Sequence, residues 1–426
     1  MIVASERTPL STDMTSGAFT AAFRYINETA VTGKKSIKAS PFIWTDPADI
    51  PRRQSLYADH FIRGFMSLTL GVGGGGKSNQ EIVDALAMAS QKNILGHLCE
   101  NKLKVWYINL EDPAEEIQRR FAAAVIHHNI DPATIQDCIF VDSGRDQDFV
   151  VVKVDGKGTK IVEPVVSDII REILDNEIDV LIVDPFISTH EVEENDNTKI
   201  QIVAAQWVRI AHEADCAVEL VHHVNKSAGD GKAEVTADSG RGAGALKDKA
   251  RSVRVINGMS AIEAAKAGVD QDCRFDYFTL GNGKSNLRRR SGGVEWRRMV
   301  SVPLGNGGIG NMANIMGDQI GVVEQWHWPS SGAIMDGIPE TAIFSAKALI
   351  ADGNYKAHDQ AKNWAGNVIA NVLQLDLEVK SDKARCKTIL SEWIKAGHLK
   401  IVTLWDKERR EEKEFVVNSD WLPNPI

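Results

Sequence analysis

Short apolar runs alternate with segments of helical periodicity through the middle of the chain. Runs such as KVWYINL and VLIVDP have the length and composition of buried strands, and the segments between them follow helical periodicity. Strands that alternate with helices favour a mostly parallel sheet with helices on its faces. The pattern therefore predicts an α/β fold. The runs interpreted as strands are FMSLTL, KVWYINL, CIFVDS, VLIVDP, AVELVHH, SVRVING and FDYFTLG.

Two segments do not follow this alternation of strands and helices. Around Asp155 and Gly156, alternating apolar residues in FVVVKVDGKGTKIV predict a β-hairpin near residues 149–162, inserted in the core domain. Near residue 300 the chain becomes rich in Gly and Asn, and we interpret SVPLGNGGIGNMANIMGDQIGVVEQWHWPSSG as a wrap-around segment or linker. Residues 1–40, rich in Ser, Thr and small residues, indicate a flexible lead-in. The core domain is therefore expected to span 41–330.

Residues 341–426 follow a different pattern, in which two or three helices precede two strands that flank a charged turn. Helices followed by a β-wing favour a winged-helix-like C-terminal domain. Winged helices serve both DNA binding and protein contacts, so this expectation leaves the domain's function open.

Composition narrows the class of protein. A length of 426 residues with 43% hydrophobic content supports a folded chain of two or three domains. The net charge of −9 excludes a polycation, so any nucleic-acid site must be a local basic patch. Five scattered cysteines without a C-x-x-C pair argue against a structural zinc site or a disulfide framework and favour the cytoplasm. No apolar run reaches the length of a membrane span, and the N-terminus lacks the order of a signal peptide.

A glycine-rich loop carries the strongest chemical signal. In LTLGVGGGGKSNQEIVDALAMAS, the spacing fits the G-x-x-x-x-G-K-[ST] phosphate loop, with an apolar strand before it and a helical pattern after it. In such a loop, backbone N–H groups surround the phosphates, the lysine reaches the β/γ oxygens and the serine ligates Mg²⁺. The register of the Lys-Ser pair disfavours a merely flexible turn, so we expect ATP and Mg²⁺ as cofactors. The predicted nucleotide-binding residues are Gly71, Gly73, Gly74, Gly75, Gly76, Lys77 and Ser78.

Carboxylates at strand ends would complete a hydrolytic site. Four apolar residues place Asp184 at the carboxyl edge of the sheet, where we expect it to hold Mg²⁺ together with Ser78. In NLEDP, Glu111 is the candidate that polarises the attacking water. Asp112 is assigned instead to capping the helix that starts near Pro113.

Histidines and basic residues follow other strands of the predicted sheet. At the end of AVELVHH, either His222 or His223 could hydrogen-bond the γ-phosphate and sense its loss, with ordinary packing or a solvent position as the alternative. Two basic stretches border the sheet, and phosphates of nucleotide or DNA are their candidate targets, with a solvated face as the alternative. They contain Arg241, Lys247, Lys249, Arg251 and Arg254, and then Lys284, Arg288, Arg289, Arg290, Arg297 and Arg298.

Taken in order, the phosphate loop, NLEDP, VDP, VHHVNK, RGAGALKDKAR and GKSN resemble the RecA-like ATPases of the plasmid RepA hexameric replicative-helicase type, including phage and prophage relatives. The resemblance covers roughly residues 41–330 and implies a RecA-like core. The chain departs from that type by the hairpin near Asp155 and by the C-terminal domain.

The resemblance also implies roles for individual residues. Glu111 matches the catalytic glutamate, Asp184 the Walker B aspartate, and His222 and His223 the sensor histidines. Arg241 matches an arginine finger that reaches into a neighbour's site. Lys284 matches a K-x-N element, where other RecA-like motors have K-x-R, and would contact nucleotide.

The expected function is a Mg²⁺-dependent ATPase that forms a homo-oligomer, a hexameric ring, and moves on single-stranded DNA as a helicase. Replication proteins are the expected partners of the C-terminal domain, and no membrane partner is expected. The alternative is an ATP-switched initiator, loader or regulator that binds DNA without unwinding it. Candidate DNA-facing loops are STHEVEENDNTK, which is strongly acidic, and residues 229–244.

Overall fold

The computed structural model describes residues 37–156, 158–224, 234–239, 243–287, 293–307, 317–329, 338–351, 354–406 and 409–421. The chain forms two units, one up to Arg52 and one from Arg53 onward. In the first unit the described residues are all exposed, and Asp46 caps a short 3-10 turn, Pro47–Asp49. The second unit contains all other elements described below.

The strands of the second unit are numbered in chain order. They are β1 (Ser55–Tyr57), β2 (Phe61–Ile62), β3 (Met66–Val72), β4 (Val105–Asn109), β5 (Ile139–Ser143), β6 (Val152–Asp155), β7 (Gly158–Ile161), β8 (Val180–Asp184), β9 (Ala217–Val224), β10 (Ser252–Gly258), β11 (Tyr277–Ser285), β12 (Val294–Pro303), β13 (Gln319–Trp326), β14 (Leu399–Asp406) and β15 (Glu411–Asn418).

The helices are numbered in the same way. They are α1 (Lys77–Ser90), α2 (Ala114–His127), α3 (Glu163–Asn176), α4 (Asn197–Glu213), α5 (Ala243–Lys249), α6 (Ala261–Ala267), α7 (Glu340–Ala351), α8 (Gly366–Leu373) and α9 (Lys380–Lys395). In the described part of the chain, no helix has both the length and the apolarity needed to cross a bilayer.

A nine-stranded sheet lies at the centre, in the order β13-β12-β11-β10-β3-β9-β8-β4-β5. The strands from β10 to β5 pair in parallel, and β11, β12 and β13 continue the sheet in antiparallel pairs. Central strands such as β3 and β8 are buried almost throughout because helices cover both faces. The predicted α/β class, with a mostly parallel sheet flanked by helices, is confirmed.

Two apolar cores lie on the two faces of this sheet. On one face, Ile169 and Ile173 of α3 and Trp207 of α4 pack against β3, β8 and β9. On the other face, Leu86 of α1 and Phe121 of α2 pack against β4 and β8. In α3, buried apolar residues recur three and four positions apart and therefore lie on one face of the helix. Burial of that face against the sheet favours the helical conformation. The sheet is therefore the middle layer of three.

The linker interpretation of the segment near residue 300 is wrong for its two ends. Residues 294–303 and 319–326 form β12 and β13, which pair with each other and extend the sheet. Their apolar residues alternate with polar ones, and the Gly-rich middle of the segment obscures that alternation. The segment thus contributes structure beside the phosphate loop. Residues 308–316 lie outside the described part.

The C-terminal part has an apolar core of its own. Trp364, Ile369, Ile389 and Trp393 are buried there, between α7, α8, α9 and the antiparallel pair β14–β15. Helix α9 also packs against α6 of the larger core. Three helices precede a two-stranded hairpin in this part, and its assignment as a winged helix stays a prediction.

A buried ionic network lies beneath the phosphate loop. Arg254 of β10 is 6% exposed, and its guanidinium donates to Glu81 at 2.9 Å and to Asp84 at 2.8 Å, both on α1. Burial raises the pKa of Glu81 well above its usual range, and Arg254 opposes that rise. Arg254 was expected to meet an external phosphate, but its charge is already compensated inside the protein.

A second part of the network connects β9 to His60, which lies between β1 and β2. His60 lies 2.8 Å from Glu219 of β9 through Nε2 and 2.8 Å from Ser252 of β10 through Nδ1. Ser67 of β3 also donates to Glu219. Buried polar groups of this kind require partners, and here the partners come from three neighbouring strands.

Replacing Arg254 should destabilise the fold strongly. Arg254→Ala removes the cation beside buried Asp84 and the hydrogen-bond donor of buried Glu81, and we expect a loss of about 3–5 kcal/mol in the free energy of unfolding, measured by urea titration. Arg209→Ala is the matched control, because Arg209 also holds two carboxylates but its side chain is 35% exposed. That control should lose at most about 1 kcal/mol. Equal losses in the two variants would contradict the assigned role of the network.

Candidate nucleotide-binding site

The phosphate loop joins β3 to α1 and depends on glycine at two positions. Gly74 and Gly76 have φ values of 75° and 89°, in the left-handed region that glycine adopts without strain. A Cβ on Gly76 would also lie 3.0 Å from the ring of Phe278. Gly76 is the N-cap of α1, so the free N–H groups of the first helical turn begin where the loop ends. The loop has the geometry of an anion site.

Lys77 is held at the base of this loop. Its side chain is buried, and Nζ donates to the carbonyl of Gly71 at 2.9 Å and to that of Val72 at 2.7 Å. Burial lowers the pKa of Lys77 to about 8, and the carboxylates of Asp184 and Glu111 oppose the shift. The predicted cation and both predicted carboxylates therefore act on one another electrostatically.

His223 also contacts Lys77. The two side chains come within 3.1 Å, between Lys77 Nζ and His223 Nδ1. Burial and the neighbouring Lys77 lower the pKa of His223, so its ring is neutral near pH 7. In a neutral ring whose Nδ1 accepts from an ammonium group, the proton is assigned to Nε2. Nε2 is buried and has no hydrogen-bond partner among the described residues.

The side chain of His222 lies in a different environment from that of His223. Its ring is buried and lies edge-on to Phe186, with ring centroids 5.9 Å apart. Phe186 in turn packs on His190, at 4.8 Å between centroids. Of the two adjacent histidines, the structure therefore places His223 next to Lys77 and His222 in the aromatic packing under the sheet edge.

Asp184 ends β8 as a buried carboxylate. It is 2% exposed, and its Oδ2 accepts from the hydroxyl of Tyr107 at 3.0 Å. The donor set fits Mg²⁺, which binds one or two carboxylates, a hydroxyl and phosphate oxygens. Within the described ranges, no group of three or more His, Cys, Asp or Glu side chains is arranged to hold a metal. Ser78 and Asp184 would therefore share the ion with phosphates and water.

The turn after β4 is organised by Asn109. Its Oδ1 accepts from the backbone N–H of Glu111 at 3.0 Å and from that of Asp112 at 2.7 Å. Glu111 is exposed. Asp112 pairs with Arg120 at 2.9 Å, and α2 begins after Pro113 without any side-chain cap. The expectation that Asp112 caps α2 is therefore wrong, because its carboxylate is engaged by an arginine two turns along the helix.

A cleft of about 340 Å³ opens beside the loop. Sequence reasoning missed most of its walls, although the two arginines of EEIQRR in α2 were a readable signal. Arg120 lines the cleft and is held by Asp112 and by Glu116, the latter at 3.4 Å. The lining residues are Gly74, Gly75, Gly76, Lys77, Ser78, Asn79, Glu116, Arg120, His223, Met299, Gln319, Ile320 and Gly321.

Other predicted residues lie elsewhere. Arg241 lies outside the described residues, as do residues 229–233, 240 and 242 of the proposed second loop. Lys284 lies on β11, where Nζ donates to the carbonyls of Lys247 and Asp248 and burial lowers its pKa. Arg297 is 1% exposed and pairs with Glu295. The contact of Lys284 with nucleotide stays a prediction.

The lowered pKa of Lys77 predicts a pH-dependent affinity for nucleotide. Below about pH 8 the free protein already carries the ammonium that a phosphate needs, and above it binding must take up a proton. We expect ATP affinity to fall by up to about tenfold per pH unit above pH 8. Calorimetric titrations between pH 7 and 10 measure this. Lys77→Arg, which stays charged, is the control and should show no such decline; an unchanged slope in that variant would contradict the assignment.

Glu111 and Asp112 offer a matched pair of substitutions. Glu111→Gln should bind ATP but hydrolyse it about 10²-fold more slowly, because the water loses its general base. Asp112→Asn only weakens the pair with Arg120 and should keep hydrolysis within about tenfold of the wild type. Single-turnover hydrolysis at saturating ATP compares them. A larger defect in Asp112→Asn would assign the base to the wrong neighbour.

Three solved structures are similar to part of the chain. A solved ATPase domain is 12% identical, with a TM-score of 0.41, over 55% of this chain and 81% of that one. The RadB recombinase is 12% identical, with a TM-score of 0.37, over 56% and 89%. A KaiC-like protein from Pyrococcus horikoshii OT3 is 14% identical, with a TM-score of 0.38, over 57% and 90%. At these values the likeness says nothing about activity.

Comparison with protein families agrees with the loop and the sheet. Residues 34–229, slightly less than half of the chain, match the sequence profile of a family described as an AAA domain. The described geometry and this match together support a P-loop ATPase core.

Proposed function

We propose that the protein is an oligomeric, ATP-driven DNA motor, a helicase that translocates on single-stranded DNA as a hexameric ring. The observation that carries the ATPase part is the contact between Lys77 and His223. It joins the first residue of α1 to the end of β9 and leaves the buried ring N–H of His223 without a partner among the described residues. A triphosphate held by the loop would thus meet a cation and a neutral donor together.

The catalytic roles follow from the positions of the strand ends. Lys77 would bind the β/γ oxygens, Ser78 and Asp184 would hold Mg²⁺, and Glu111 would orient the attacking water. Mg²⁺ supplies charge compensation for the phosphates when it is bound. His223 would lose its partner oxygen when the γ-phosphate leaves, so the end of β9 would respond to hydrolysis.

The proposal that the chain forms an oligomer is based on its sequence. We propose that Arg241 acts on the γ-phosphate of a neighbouring subunit and that Lys284 contacts the same nucleotide. Arg241 lies in SGRGAG, a glycine setting that allows a side chain to reach across an interface. A trans arginine makes hydrolysis in each site depend on the neighbour, which is the logic of a sequential ring motor. The AAA-domain match is compatible with such assembly.

A second candidate is an ATP-switched initiator, loader or regulator. Several basic residues expected to face DNA are neutralised within the chain, among them Arg254 by Glu81 and Asp84 and Lys247 by Asp238. The segment after β8 is acidic, with Glu191 and Glu193 in it. Both observations reduce the positive surface that a translocating motor needs.

Strand separation tests the proposal. A duplex with a single-stranded tail should be unwound by the wild type with ATP and Mg²⁺, and Lys77→Ala should abolish unwinding because the γ-phosphate loses its cation. ATP hydrolysis without unwinding, on tails of both polarities, would favour the switch instead.

Mixed oligomers provide the control for a shared site. Arg241→Ala and Lys77→Ala subunits, each inactive alone, should regain hydrolysis when mixed, since some interfaces then pair an intact loop with an intact arginine. Absence of any gain, together with a monomeric mass at saturating ATP and DNA, would refute the ring.

A further inference from the structure

Strand β14 of the C-terminal part lies at the edge of its sheet. The β14–β15 hairpin is a sheet of two strands, and within the described residues no strand pairs with the other edge of β14. The outer edge of β15 is covered, because Val416 donates its N–H to the carbonyl of Tyr355 at 2.9 Å. Ala357 likewise donates to the carbonyl of Glu414 at 3.0 Å. The exposed row of backbone N–H and C=O groups of this hairpin therefore lies along β14.

This edge lacks the features that usually keep an edge strand from pairing with another chain. Natural edge strands are short, bulged, or interrupted by proline or by charged side chains. Strand β14 has eight residues and pairs with β15 in one continuous register. Its middle, IVTLW, is uncharged and contains no proline. The two flanking charges are engaged, since Lys400 donates to the carbonyl of Trp421 and Asp406 pairs with Lys356. The edge is therefore open to a further strand.

One face of the hairpin combines apolar and acidic side chains. Ile401 and Trp405 are 45% and 62% exposed, and Thr403 between them is also exposed. Directly opposite residues of an antiparallel pair share a face, and here Thr403 opposes Glu414 while Trp405 opposes Glu412. Neither glutamate forms an ion pair with any residue that the structure describes. An aromatic ring and an aliphatic side chain thus lie beside two uncompensated carboxylates.

These features disfavour DNA as the partner of the hairpin. Carboxylates repel phosphate groups, and in a winged helix the helix before the hairpin has to enter the major groove. That helix would be α9, which packs against α6 of the larger core. The arginines of the hairpin, Arg409 and Arg410, are confined to its turn. An extended protein segment with basic side chains matches this surface better.

We propose that β14 is a docking edge for an extended segment of another protein in which Lys or Arg alternates with apolar residues. Such a segment continues the sheet through backbone hydrogen bonds to β14. Its side chains project alternately to the two faces, so the basic ones share the face of Trp405. A Lys or Arg there lies over the indole ring, and its long stem reaches toward Glu412.

Three synthetic peptides test this docking edge on the whole chain. The first alternates valine and lysine over eight residues, the length of β14. The second has glutamate in place of lysine, and the third is the Val-Lys peptide with every backbone nitrogen methylated. By fluorescence anisotropy, the Val-Lys peptide should bind at least about tenfold more tightly than either of the others, because only it offers both the backbone donors and the positive charge. Equal binding of the methylated peptide, or no binding of the Val-Lys peptide, would overturn the proposal.

A substitution on β14 locates the binding. Thr403→Lys places a cation in the middle of the edge, as natural edge strands do, and should weaken binding of the Val-Lys peptide by at least about tenfold. Thr403 is exposed, and an unchanged melting temperature verifies that the variant folds. Ser391→Lys is the matched control, since it adds the same charge at an exposed position of α9, and it should bind like the wild type. Equal weakening in both variants would reduce the effect to net charge and reject the edge.

Two other occupants of β14 would give different results. If the hairpin contacts DNA, Thr403→Lys should bind duplex DNA more tightly than Ser391→Lys does, because the added cation then meets phosphates. If two copies of the chain pair through β14, Thr403→Lys should lower the native mass measured without peptide. Either result would overturn the proposal.

Discussion

The phosphate loop can act only if α1 and the sheet keep one relative position, and the buried charge of Arg254 enforces that position. Its guanidinium lies among Glu81 and Asp84 of α1 and Thr69 of β3, the last at 3.3 Å. A charge buried in this way is tolerated only with its partners in place, so any shift of α1 along the sheet leaves carboxylates uncompensated. The network thereby fixes the helix whose first turn carries Lys77 and Ser78. It stabilises a particular geometry more than it stabilises the fold in general.

Parallel pairing then brings the chemistry to one edge. Strands β3, β4, β8 and β9 run in the same direction, so the residues that follow or end them share the carboxyl side of the sheet. Lys77 donates to two carbonyls at the end of β3 and contacts His223 near the end of β9. These contacts hold the ammonium group at the point where β3, α1 and β9 meet.

The sequence predicted those parts of the site in which a local pattern carries the information. Spacing identified the loop, and apolar runs placed Asp184 and His223 at strand ends. The prediction that Asp112 caps α2 was wrong because Asp112 pairs with Arg120, which lies in that helix. The preference of aspartate for helix caps could not reveal this contact. The prediction for Arg254 was wrong for a related reason. An arginine in SVRVING is expected to be exposed to solvent, and the sequence does not show that Glu81 and Asp84 of α1 lie beside it. The strands near residue 300 were missed because Gly-rich composition outweighed a short alternation.

The sequence pattern did not predict strands β12 and β13, and these strands connect α2 to the wall of the cleft. Helix α2 follows the turn that carries Glu111, and it is fastened to β13 at several points. Arg119 pairs with Asp318 at 3.2 Å, and His128, whose pKa burial lowers to about 4, lies 2.9 Å from the carbonyl of Val323. A neutral imidazole in that contact donates to the carbonyl across the physiological pH range. The turn with Glu111 and strand β13 are therefore held together through α2, and α1 packs against both α2 and β13. The cleft beside the phosphate loop is lined by residues of α1, α2 and β13, so the contacts among these three elements fix its width.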